Sequence, residues 1–119
     1  MKLNFKSSYR FFCYLFLIVL ITFISISPPS LAVNLNEGET IFQTYCAGCH
    51  AGGGNIIRRG KSLKKKALKR NGYESIADIS QIVAQGKGNM SAYKDRLTTA
   101  EIELVSRYVW QQAEQAWKR

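Results

Sequence analysis

The residues best equipped for chemistry stand together at Cys46-Ala47-Gly48-Cys49-His50. Two thiols separated by two residues, followed at once by histidine, form the pattern on which a c-type haem is covalently attached. On a helical turn the two sulfurs reach the two vinyl groups along one porphyrin edge, where thioethers form. The next residue then lies beneath the iron, so His50 is the proximal ligand through an imidazole nitrogen. A disulfide, a zinc site and chance are the alternatives. Zinc normally takes four ligands, largely Cys and His, and outside the first 32 residues the chain offers only Cys46, Cys49 and His50. A thioredoxin-like dithiol would accompany a βαβ pattern, and none is visible. The motif therefore predicts one haem c per chain.

Haem iron has a second axial position, and its occupant decides the chemistry. His50 is the only histidine, and Met90 is the only methionine besides Met1. A thioether at Met90, in a glycine-bounded loop, would complete a His/Met pair. Soft sulfur favours ferrous iron, and a filled site blocks oxygen and peroxide. The alternatives are a methionine that merely fills a gap in the core, ligation by lysine or tyrosine, and an open site. The polar setting between Gly88 and Ser91 argues against a core role.

The elements that must position these groups lie after residue 32. Lys2, Lys6 and Arg10 give a basic start, and Phe11 to Ile26 is an almost unbroken apolar run. Pro28, Pro29 and Ser30-Leu31-Ala32 follow, with small residues where a signal peptidase reads them. Residues 1–32 are expected to be a cleaved secretory signal peptide, with cleavage between Ala32 and Val33. A retained anchor is the alternative, since the run is near the short end for a span. Cys13 lies early in that run and is expected to leave with the leader.

Removing 32 of 119 residues leaves 87, a single small domain at 33–119 with 14 Lys+Arg against 8 Asp+Glu. So short a chain buries a modest core and often needs a staple. A haem would act as one. An exported basic protein rarely meets nucleic acid, so the charge points to an acidic protein or an anionic membrane surface. Neither nucleic acid nor stable membrane insertion after leader cleavage is expected.

The domain reads as all-α. Asn36-Glu37-Gly38-Glu39 has the form of a capping box with Asn36 as N-cap, and Ile41, Phe42 and Tyr45 recur at helical spacing. Gly38 costs this helix about 1 kcal/mol relative to Ala, which suggests close approach by another backbone. Ala51-Gly52-Gly53-Gly54-Asn55 must be loop. Ser62 is expected to cap a short helix with Leu63, Ala67 and Leu68 inward and Lys64, Lys65, Lys66, Lys69 and Arg70 outward, closed by Asn71-Gly72. A further helix runs from Ser75 to Gly86 on Ile76, Ile79, Ile82 and Val83. The last is expected from about Thr99 to Trp117, opened by a Thr98-Thr99-Ala100-Glu101 capping box. Its stripe of Ile102, Val105, Tyr108, Val109, Ala113 and Ala116 should cross the first helix at Gly38 and set Phe42 against Val105 and Tyr108.

With these features assembled, residues 33–119 resemble the cytochrome c6 family. The resemblance rests on the haem motif, Asn55 with Lys61-Ser62-Leu63, the Asn71-Gly72 turn, Gly86-Lys87 before Met90, and Tyr108-Val109 with Trp117. It implies a small class I cytochrome c fold, about four helices wrapped around one covalently attached haem. It also implies a one-electron shuttle in the thylakoid lumen, or periplasm, between cytochrome b6f and photosystem I. Asn55 and Lys61 fall where family members meet the haem propionate side; a turn residue and a solvated lysine are the plain alternatives.

Two positions depart from the family. Ser91 stands where proline usually follows the axial methionine, and Ile82 stands where cytochrome c6 proper has a glutamine beside the haem. An apolar residue there marks the c6B/c6C-type paralogues, which implies a lower potential and a different partner or a redox-sensing role. Enzymatic chemistry would need an open iron site with a distal acid–base residue, and no second histidine exists, so no catalytic residue is assigned. The basic stretch from Lys64 to Arg70 reads either as a docking patch or as a solvated helix face.

Overall fold

The computed structural model describes residues 10, 12–18 and 32–118. By internal contacts the chain divides into two compact units, Met1–Ser30 and Leu31–Arg119. In the first, residues 12–18 are helical with exposed apolar side chains such as Phe12 and Phe16. Apart from Arg10 and Ala32, the rest of the expected leader lies outside the described residues. No helix among the described residues is long and apolar enough to cross a membrane.

The second unit is helical. Its helices are α1 (Ala32–Tyr45), the single turn α2 (Ala47–His50), α3 (Lys65–Arg70), α4 (Ile76–Gln85) and α5 (Thr99–Glu114). Short 3-10 turns fill Ala51–Gly53 and Arg59–Lys61. Among the described residues no strand forms beyond an isolated bridge between Lys87 and Met90.

The helices α1 and α5 pack along each other, and α4 packs on α5. At Gly38 a β-carbon would fall 2.5 Å from the carbonyl oxygen of Leu104. Only glycine lets the two backbones meet there, as the sequence suggested. One turn on, Phe42 is 2% exposed, with its ring centroid 5.4 Å from that of Tyr108. Val105, at 1% exposed, belongs to the same core. Burying side chains of this size contributes about 1.5–3 kcal/mol each.

Helix boundaries follow local chemistry at three ends. Ser75 accepts from the Asp78 N–H at α4, Gly86 ends that helix with φ +69°, and Thr98 and Glu101 form the expected capping box on α5.

Three expectations are corrected. The first helix begins at Ala32, so Asn36 lies inside it; its carbonyl accepts the Thr40 hydroxyl at 2.9 Å. Ala32 to Leu35 contain no breaker, so the helix extends past the candidate cap. Ser62 does not cap that helix: it is extended (φ −67°, ψ 162°), and α3 starts at Lys65 without a side-chain cap. The Leu63 N–H donates to Gly53 O at 2.8 Å and its carbonyl accepts from Trp117, so this stretch is committed to tertiary bonds. The last helix stops at Glu114, and Ala116 and Trp117 both take φ +55°. That left-handed turn exposes Ala116 and swings Trp117 back onto the core.

Candidate functional site

The chain leaves its helical ladder at Cys46 and resumes it for the single turn of α2. The N–H groups of Cys49 and His50 both donate to Cys46 O, at 3.1 and 2.9 Å. This turn presents Cys46, Cys49 and His50 to one cleft of about 320 Å³, whose lining also includes Met90. The four residues singled out in the sequence are thus brought together. Ile79, Val83, Val105 and Val109 supply apolar wall.

The imidazole is held by the main chain. His50 Nδ1 lies 2.9 Å from Gly54 O. A carbonyl can only accept, so Nδ1 carries the proton and Nε2 keeps its lone pair for a metal. No side-chain signal in the sequence marks Gly54 for this role, because a main-chain carbonyl supplies it.

Both thiols of the motif are unpaired. Burial, and then the neighbouring Cys49 thiol, push the Cys46 thiol up to about 11. The donor set and the apolar walls fit a haem: two thiols for the vinyl groups, one imidazole nitrogen and one thioether.

Met90 is half-buried and sits in a tight turn, exchanging backbone hydrogen bonds with Lys87 at 3.0 and 3.1 Å. Ile82 is half-buried on the cleft wall, whereas Gln81 is exposed. Asn55 lines the cleft too, but its amide is spent on its own loop. Its Oδ1 accepts from Ile57 and Arg58 at 3.0 and 2.8 Å, and its Nδ2 donates to Lys61 O at 3.2 Å. The turn role is therefore the one the geometry displays. Lys61 Nζ donates to Asn71 Oδ1.

The sequence reading missed Tyr93. Its hydroxyl donates to Tyr45 O at 3.0 Å, and burial holds the phenol above its ordinary pKa, so it remains a donor.

A helical shell around an apolar cleft, with a Cys-x-x-Cys-His turn in its wall, defines a c-type cytochrome. The family described as cytochrome c oxidase, cbb3-type, subunit III, matches residues 33–109. A cytochrome c6-like protein of Nostoc sp. is 52% identical over 105 residues, covering 85% of this chain and 95% of that one. The structure of cytochrome c6C from Synechococcus sp. PCC 7002 is 57% identical with a TM-score of 0.65, covering 66% of this chain and 96% of its own. That of cytochrome c6B from Synechococcus sp. WH8102 is 47% identical with a TM-score of 0.67, covering 70% and 94%. The chain belongs to the cytochrome c6-like family of c-type cytochromes, and it carries one covalent haem c.

Proposed function

We propose that this protein is an exported one-electron carrier whose haem iron is held between His50 and Met90. The observation that carries this is the placement of Cys46, Cys49, His50 and Met90 on one cleft, with His50 Nδ1–H donating to Gly54 O. When bound, the haem supplies a reversible ferric/ferrous couple. The chain's own residues anchor it through two sulfurs, orient the imidazole, fill the sixth position with a thioether and exclude water with aliphatic walls. No proton or bond need change hands. Residues 1–32 act as the leader, and the working compartment is the thylakoid lumen or periplasm.

The partners in this reading are redox proteins, with cytochrome b6f as donor and photosystem I as acceptor. A second reading is favoured by Ile82. Its side chain lies on the cleft wall while the amide of Gln81 faces outward. The likeness to c6C and c6B supports a lower-potential carrier with a different partner or a sensing role.

A redox titration of the mature protein with optical spectra tests both readings. The expected result is a c-type spectrum with a sulfur-to-iron absorption band in the ferric state. Absence of that band, or rapid carbon monoxide binding to the reduced protein, would refute His/Met ligation. The midpoint then decides between the two readings.

A further inference from the structure

We propose that Tyr93 is a positioning residue for Met90: its hydroxyl fastens the methionine loop to the end of the haem-attachment helix. The inference rests on Met90 being an axial ligand. Between Gln85 and Thr99 the chain has no helix. The paired bonds between Lys87 and Met90 shape the tip but tie it to nothing beyond itself. Glycine-rich Gly86-Lys87-Gly88-Asn89 precedes the methionine, Ser91 follows it, and no proline stiffens the segment.

Three bonds follow within four residues of Met90. The N–H groups of Tyr93 and Lys94 donate to Val83 O and Ala84 O at 3.0 and 3.2 Å, which holds the loop to α4, the helix it springs from. Only the Tyr93 hydroxyl crosses to α1, meeting Tyr45 O at 3.0 Å. Tyr45 is the last residue of α1 and immediately precedes Cys46. Carbonyls in a last helical turn lack a partner within the helix, so the phenol satisfies an acceptor that the interrupted ladder leaves over. One hydrogen bond thus links the thioether-forming segment to the loop bearing the other axial side chain.

The ring has a seat of its own. It meets Tyr45 edge-on at 6.2 Å and 73°, with the Arg96 guanidinium 5.8 Å from its centroid. Phenylalanine would keep those contacts, so packing alone does not require the hydroxyl. Losing it should let the loop swing away from the cleft more often, while the core stays intact.

The test compares haem-loaded wild type, Tyr93→Phe and Tyr93→Leu. Carbon monoxide can bind reduced iron only when the methionine leaves, so its association rate reports loop opening. Tyr93→Phe is expected to bind about fivefold faster, the factor that corresponds to one net hydrogen bond of about 1 kcal/mol. It should also lose the ferric sulfur band at a less alkaline pH as the pH is raised. Tyr93→Leu, which removes the ring contacts as well, should bind at least as fast. Wild-type kinetics and band stability in Tyr93→Phe would overturn the proposal, whether or not its melting temperature falls. Wild-type kinetics in Tyr93→Leu would do the same. A wild type without the sulfur band would refute Met90 ligation, and this inference with it. A wild type with the band and an unaltered Tyr93→Phe would refute the positioning role alone.

Discussion

The indole of Trp117 stands over Gly53, where a β-carbon would fall 2.4 Å from the ring. The same indole donates from Nε1 to Leu63 O at 3.1 Å and packs 5.3 Å from Phe42. Gly53 O in turn accepts the Leu63 N–H. The end of the chain therefore closes on the loop that immediately precedes Gly54, the residue holding His50. Gly53 also has φ +72°, so alanine there would meet both a clash and backbone strain. Gly53→Ala is expected to lower the unfolding free energy of the holoprotein by about 2–4 kcal/mol. Gly52 has φ +56° with nothing within 4 Å, so Gly52→Ala should lose only about 1 kcal/mol. Guanidinium unfolding of both variants checks the order; equal losses would mean that Trp117 does not press on Gly53.

Local signals made much of this legible in the sequence. Glycine at position 38 announced the α1–α5 crossing because side-chain absence in a helix has few other uses. Thr98 with Glu101 and Ser75 marked their helix starts because capping is decided within one turn. The four residues that meet at the cleft were readable from type and spacing alone. What escaped was long-range and main-chain. Nothing near Trp117 says that it turns back 54 residues to Leu63, and that bond is what draws Ser62-Leu63 away from helix. The acceptors Gly54 O and Tyr45 O have no side-chain identity to read, so the bonds that His50 and Tyr93 make to them emerge only from the three-dimensional structure.

Ile82 supplies a prediction about potential. Its side chain lies on the cleft wall, where an amide dipole would act in a low-dielectric setting. Ile82→Gln is expected to raise the midpoint by about 20–60 mV, the equivalent of one net hydrogen bond at one electron. Redox titration checks it, and an unchanged or lower midpoint would contradict the assignment. Gln81→Ala, at an exposed position, should leave the midpoint where it is.

The basic surface is divided by its internal partners. Lys65 pairs with Glu114, Lys61 with Asn71, and Arg70 donates to Gly60 O. Arg58 borders the cleft beside exposed Ile57, with Arg59 next in the chain. No carboxylate occurs between Cys46 and Tyr73. Reversing both arginines to glutamate is expected to slow electron transfer to an anionic redox partner about tenfold at low salt and to flatten its salt dependence. Reversing Lys64 and Lys66 should do less if these side chains are merely solvated. Stopped-flow rates over a salt series distinguish the two; equal effects would make the whole basic stretch the docking patch.

Acid should loosen the two capped helices first. The Ser75 hydroxyl and the Glu74 N–H donate to Asp78 at 2.7 and 3.0 Å, holding its carboxyl below the ordinary 3.8. The Thr98 N–H and hydroxyl hold Glu101 below the ordinary 4.5. Each folded-state pKa is thus depressed relative to the unfolded chain, so the unfolded state binds more protons and stability rises with pH. The contribution is fully present above the ordinary values and is lost as pH falls through the depressed ones. Thr98→Ala removes the hydroxyl donor and the cap but keeps the Thr98 N–H bond to Glu101, and is expected to cost about 1 kcal/mol at neutral pH. It should also flatten the acid limb between pH 5 and 3 (about the range set by these carboxylates). Thermal melts of wild type and Thr98→Ala across that range test this; parallel acid limbs would mean that the Thr98 hydroxyl adds nothing to the acid sensitivity of Glu101.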